Sequence, residues 1–218
     1  MKHLIRKIHK YLSVLISIQL LLWTISGIYF AFNQIELVRG EQYRQDDKVS
    51  IDLSRVDLKV LDADSIRFIK RLDAPALVVK KDNEIQYLDL MGNPLDKLSL
   101  QEVQSIVGSS TTLRVLGAEE VLIPEPGAEY RGRPLPLYRV RSVNDEDEEI
   151  NVYVAGFSGE VVAIRNEQWR IWDLMWGLHI MDWEERDDFN HWLLRVFSVL
   201  ALISSVTGLF LFVRLDWK

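Results

Sequence analysis

The chain has 218 residues, 48% of them hydrophobic and 27% charged, no cysteine, and a formal charge of −6. That length suits one or two compact units, and without Cys there is no disulfide framework, thiolate nucleophile, Cys-ligated zinc or iron–sulfur cluster. Residues 33–190 carry 19 basic and 31 acidic side chains, a net −12, which excludes nucleic acid as a partner because its binding rests on neutralising phosphates with Lys and Arg.

The basic flank 1–10, MKHLIRKIHK, precedes 22 residues without a formal charge, Tyr11 to Phe32. At 1.5 Å per residue this run reaches roughly 33 Å, enough to cross a bilayer's hydrocarbon core. It is too long for the apolar region of a signal peptide, and YFAFNQIE offers no small-x-small cleavage site, so an uncleaved anchor is expected. A second helix is predicted over 191–213, where VFSVLALISSVTGLFLFV (196–213) is free of charge. Lys and Arg mark the cytoplasmic side. The expected topology is therefore that of a bacterial inner-membrane protein with both termini, including the tail 214–218, in the cytoplasm and the acidic middle in the periplasm.

Residues 33–165 read as an α+β domain of two similar helix-plus-hairpin modules, about 50–96 and 97–165. The first opens with DADSIRFIKR (62–71), read as a helix. Two strands follow around a polar turn at Asp82-Asn83, with alternation at Val78, Ile85 and Tyr87. The second opens with SLQEVQSIVG (99–108), where Ser99 and Glu102 form a capping box and Gly108 supplies a stop. A Pro-rich connection leads to the strands LPLYRVR (135–141) and INVYVAG (150–156) around NDEDEE, then EVVAI. Over 166–190 a Trp-rich interfacial helix and an acidic link, DWEERDD (182–188), are expected. Trp169, Trp172, Trp176, His179 and Trp183 recur at the spacing of one helical face, which suits the outer membrane surface.

A helix followed by strands reading YRVR…INVYVAGFSGEVVAI resembles the PepSY domain, an extracytoplasmic module. The terminal segments, HKYLSVLISIQLLLWTISGIYFAF and LHIMDWEERDDFNHWLLRVFSVLALISSVTGLFLFV, resemble the PepSY-associated transmembrane family. The carrying motifs are the His-aromatic opening of the first helix, the small-Gly-x-aromatic close of both helices, and the Leu-His before the second. The resemblance implies an iron-linked membrane protein, since larger relatives with more helices look like haem-containing ferric or ferrisiderophore reductases.

The four histidines stand at positions 3, 9, 179 and 191. His9 precedes the first apolar run and Gly27 closes it in TISGIYF; His191 precedes the second and Gly208 closes it in SVTGLFLF. The helices thus form a rough inverted repeat, which puts His9 level with Gly208 and His191 level with Gly27. Neutral imidazole is an axial haem ligand, and a small residue lets a porphyrin approach a helix backbone. The candidate haem-b site residues are His9, His179, His191, Gly27 and Gly208. The outer ligand stays open between His179, favoured by the Leu-His motif, and His191, favoured by the repeat. His3 reads as part of the basic flank. With one helix pair per chain, ligation of iron by two histidines at each level calls for a homodimer or a membrane partner subunit.

Bland readings stand beside these. The glycines also allow close helix packing in lipid, and mid-membrane Gln19 can hydrogen-bond a partner helix. The run Asp145–Glu149 lacks the Gly-punctuated loop of a calcium site and reads as a hairpin tip. Arg131 and Arg133 can meet an anion. No Walker loop, GxSxG or HExxH occurs. Two functions remain: a haem-b electron-transfer component with a periplasmic redox, ferric or flavin-linked acceptor, or a non-catalytic module binding a peptide, protease or membrane complex.

Overall fold

The computed structural model describes residues 2–45, 63–72 and 74–215, without the side chains of residues 2–5, 8, 214 and 215. The start of the first predicted module (50–62), the His3 side chain and the tail beyond Leu215 lie outside the described residues. The chain divides into two units, residues 1–35 with 170–218, and residues 36–169.

The first unit is built on helices α1 (Lys2–Phe32) and α5 (Trp192–Leu215). Within them His9–Phe32 and Trp192–Val213 are long and apolar enough to cross a membrane. α1 starts well ahead of the predicted apolar run because Lys and Arg in the flank are good helix formers. The two helices pair antiparallel, with Ser13 meeting Ser204 through their hydroxyls at 3.0 Å and His9 meeting Thr207 at 3.0 Å. Small residues at this seam let two backbones approach where no hydrophobic driving force exists between helices and lipid.

Within 166–190, where a Trp-rich helix and an acidic link are expected, helix α4 spans Glu167–Ile180. Met181 takes φ +60, and the Asp182 carboxylate accepts the backbone N–H groups of Glu185, Asp187 and Asp188. That local cap competes with helix continuation, and it leaves Trp183 off the helical stripe. Arg186 then folds back across Gly177, where a Cβ would sit 3.0 Å from its Cγ and 2.9 Å from Asp182 O. Its guanidinium reaches the buried Asp173 carboxylate at 2.8 Å. From Arg170 onward α4 lies antiparallel against α1. Phe30 packs on Trp172 with ring centroids 4.9 Å apart, Trp23 Nε1 donates to His179 O at 2.6 Å, and Gln19 Nε2 donates to Leu178 O at 3.1 Å.

After the short helix α2 (Ile35–Val38), the second unit holds two antiparallel sheets. The first orders β1 (Ser65–Arg71), β2 (Ala74–Lys81) and β3 (Glu84–Leu88). β1 overturns the predicted helix over 62–71, so the two modules are not equivalent among the described residues. Ile66 and Phe68 alternate with Arg67 at period two and pack toward Leu77, Val79 and Leu88, so pairing with β2 overrides the helix-start signal in Asp-Ala-Asp-Ser. The β2–β3 turn is as predicted, with positive φ at both Asp82 and Asn83, the conformation that suits a two-residue hairpin.

The second sheet orders β4 (Arg114–Val121), β5 (Leu137–Val143), β6 (Glu149–Ala155) and β7 (Val161–Arg165). Asp145–Glu148 forms the tip between β5 and β6, where Asn144 Oδ1 accepts N–H bonds from Glu146 and Glu148. Helix α3 (Leu100–Ser110) covers one face, burying Val103, Ile106 and Val107 against Tyr138, Val140, Val152 and Ile164. It runs two residues beyond the predicted Gly108 stop. Tyr130 covers the other face over Leu137, Tyr153 and Ala163. The predicted capping box on α3 is present in both directions, so Ser99→Ala is expected to cost about 1 kcal/mol, read as faster amide exchange in the first turn of α3 with the sheet unchanged.

Candidate functional site

Three of the five candidate residues, His9, Gly27 and Gly208, lie on α1 and α5, His191 directly precedes α5, and His179 sits in the last turn of α4. At the level of the basic flank, His9 Nδ1 lies 3.0 Å from Thr207 Oγ1. That hydroxyl spends its own hydrogen on Ile203 O at 2.8 Å or Ser204 O at 3.0 Å, so the imidazole is the donor. Nδ1 therefore carries a proton. Nε2 is 3.5 Å from Ser13 Oγ, whose closer partner is Ser204. Gly208 lies beneath this ring: a Cβ there would be 3.0 Å from His9 Cε1. His9 and Gly208 are thus adjacent, and the space left by the missing side chain is filled by the imidazole itself.

The same arrangement recurs at the other end of α1. Ser26 Oγ donates to Leu22 O at 2.7 Å or Trp23 O at 3.2 Å and lies 2.7 Å from His179 Nδ1. The hydroxyl proton is again committed to the helix, so His179 donates from Nδ1 and keeps its lone pair on Nε2. Burial holds the His179 pKa below the ordinary imidazole value, and the ring is neutral at pH 7. Trp176 lies parallel to it at 6.3 Å, Phe30 meets it edge-on at 5.7 Å, and Trp23 flanks it at 6.4 Å. Gly27, next to Ser26, has nothing within 4 Å of its Cβ position.

His191 stands apart from this pattern. Its Nε2 pairs with Ile180 O at 2.8 Å, and its Nδ1 accepts the Leu194 N–H at 3.4 Å. Both nitrogens are engaged, one closing the end of α4 and the other capping α5. No bond joins it to Gly27.

An imidazole held through Nδ1 with its lone pair on Nε2 is a donor that suits haem iron, and His179 has that arrangement; His9 shares the held Nδ1, with Ser13 Oγ 3.5 Å from its Nε2. Along α1, His9 and Ser26 are about 26 Å apart at 1.5 Å per residue, so the two hydroxyl-held imidazoles belong to opposite ends of the helix. Fixing a ligand imidazole through Nδ1–H to an oxygen is the usual outer-shell support of a metal-binding histidine. Among the described residues no group of three or more His, Asp or Glu forms a metal cluster.

Sequence reasoning missed Ser26 and Thr207. The signal was present, since each directly precedes one of the glycines in the inverted repeat. Gln19 does bond a partner helix, α4. Arg131 and Arg165 gather over Trp169, at 5.7 Å and 4.3 Å from its ring. Burial, with Arg133 and Arg131 nearby, lowers the Arg165 pKa to about 10. No family model, no curated protein and no solved structure matches the chain.

Proposed function

We propose that this is a two-helix protein of the bacterial inner membrane that binds haem b and carries electrons across the bilayer. His9 and His179 are the protein's axial ligands near the two ends of α1, and the middle domain is PepSY-like and periplasmic. The observation that supports the reading is the repeated hydroxyl–imidazole pair, Thr207–His9 and Ser26–His179, each holding its imidazole through Nδ1. His191 is set aside as a ligand because both its nitrogens serve the fold. Each level supplies one histidine, so a second copy of the chain completes the ligation. The cofactor, when bound, supplies one-electron chemistry, while the chain orients the ligands, lowers the dielectric around them and excludes water. The acceptor is a periplasmic ferric or flavin-linked species.

A reduced-minus-oxidised absorption spectrum of the detergent-purified protein, with iron and haem measured per chain, tests this. A b-type signal is expected. A flat spectrum from folded, haem-supplemented protein rejects it.

A second reading has its own observation. Strand β4 is a sheet edge, and Leu116, with Leu122 and Ile123 just past its end, is exposed. Such an edge can accept an extended peptide, as a module regulating a protease or assembling a membrane complex would. Cross-linking through β4 would then recover the partner while the spectrum stays flat.

A further inference from the structure

The register of α1 against α5 limits where a bilayer can end. With Ser13 opposite Ser204 and His9 opposite Thr207, antiparallel pairing sets Trp192, the first residue of α5, level with about residue 25 of α1. The last two turns of α1, Ser26 to Phe32, therefore run about 10 Å past the start of α5. α4 accompanies them, and its final residues are tied to Trp23 and Gln19.

The link from Met181 to His191 leaves α4 and enters α5 at this same level. It carries Asp182, Glu184, Glu185, Asp187 and Asp188 against a single Arg186. Asp182 gathers three backbone N–H groups of the link, and Arg186 ties it to Asp173, so the acids are held where the two helix ends put them. Ionised carboxylates are excluded from hydrocarbon unless paired or in a water-filled cavity. Yet Trp183, Phe189 and Trp192 project from the same short stretch at 57%, 60% and 72% exposure. Exposed aromatics beside ionised acids, at the mouth of an apolar helix, are the composition of the headgroup layer, where Trp settles.

We infer that the hydrocarbon edge remote from the basic flank meets α1 between Trp23 and Ser26 rather than at Phe32, and that Trp183, Phe189 and Trp192 seat the 181–192 link among phospholipid headgroups. The headgroup layer is about 5–7 Å deep, so Ile28 lies within it and Phe32 beyond it. At the opposite end Val213 is level with about residue 4 of α1. The exposed Arg6, Lys7 and Lys10 then reach headgroups along their methylene stems. His179 thereby sits at the edge of the apolar layer, within reach of a water-soluble acceptor. The inference rests on α1 and α5 crossing a bilayer and is independent of haem.

The chain has no cysteine, so single-cysteine variants of the full chain each carry one nitroxide label with no native thiol to remove. In vesicles of phosphatidylcholine and phosphatidylglycerol, collision with oxygen against a water-soluble nickel chelate reads the depth of each label. Ile18→Cys and Leu202→Cys, on exposed faces of the two helices, are expected deep in hydrocarbon. Phe189→Cys and Ile28→Cys are expected at headgroup level and Phe32→Cys open to nickel. Ile28 and Phe32 labels as deep as that at Ile18 would overturn the inference and leave the spanning helices intact. Shallow labels at both Ile18 and Leu202 would overturn both.

Discussion

Alanine at His179 is expected, on the proposed haem reading, to remove one of two haem levels, whereas alanine at His191 leaves haem content unchanged. The difference follows from what each ring nitrogen does. His179 has Nδ1 fixed by Ser26 at 2.7 Å and is kept neutral by burial, so its Nε2 is available to iron. His191 has both nitrogens in use, on Ile180 O and Leu194 N–H, and its loss is a capping defect of about 1 kcal/mol. Ser26→Ala separates ligation from mere burial. It removes no ligand, but it frees the imidazole to turn or change tautomer, and outer-shell losses of this kind weaken metal binding about 10- to 100-fold. His9→Ala is expected to remove the other level in the same way, with Thr207→Val as its counterpart. Haem titration of the five variants, with circular dichroism to establish that each is folded, checks the set. Retention of full haem by His179→Ala together with loss in His191→Ala would reverse the assignment of the outer ligand.

Gly40→Val is expected to disrupt the second unit more than any surface change. Gly40 has φ +75, and a Cβ there would lie 2.6 Å from Ile164 Cγ2 and 2.8 Å from Ile164 Cβ. Ile164 is fully buried among Val107, Val140 and Val152, and its Cβ cannot swing aside as the end of a flexible chain would. Left-handed backbone costs a non-glycine residue roughly 1–2 kcal/mol, more when it is β-branched, and overpacking a core adds about 1–3 kcal/mol. A total of about 3–5 kcal/mol corresponds to a 100-fold or greater rise in opening at 1.4 kcal/mol per decade. Hydrogen exchange of α3 and β5–β7 in the full chain measures it, because those amides open only with the unit. Gly132→Val is the control: its φ is +72 with nothing within 4 Å, so it carries the backbone term without the clash. Equal effects at the two positions would show that Ile164 yields.

Local chemistry made much of the chain legible. The charge-free runs, the capping box at Ser99 and Glu102, and the turn at Asp82-Asn83 each depend on residues within one helix turn or hairpin. The failures occur where a distant partner decides. β4 escaped notice because Gly117 and a bulge between Val115 and Gly117 interrupt its alternation, and only β5 beside it makes it a strand. SIRFIKR lacks any mark that separates a short helix from an edge strand until β2 pairs with it.

The same division runs through the candidate site. Sequence alone determined that two apolar helices bracket an acidic α+β middle and that the histidines cluster beside those helices, because hydrophobic run length and charge are properties of the chain itself. It also set His9 opposite Gly208, since each stands near the same end of an antiparallel pair of apolar runs. Only the tertiary structure decided which hydroxyl meets which imidazole, and hence which nitrogen keeps a lone pair. Ser26 and His179 are 153 residues apart, and nothing local to either one marks the pairing. It arises because α4 stops at Met181 and turns its aromatic face onto α1, a packing choice made by Phe30, Trp23 and Gln19 together.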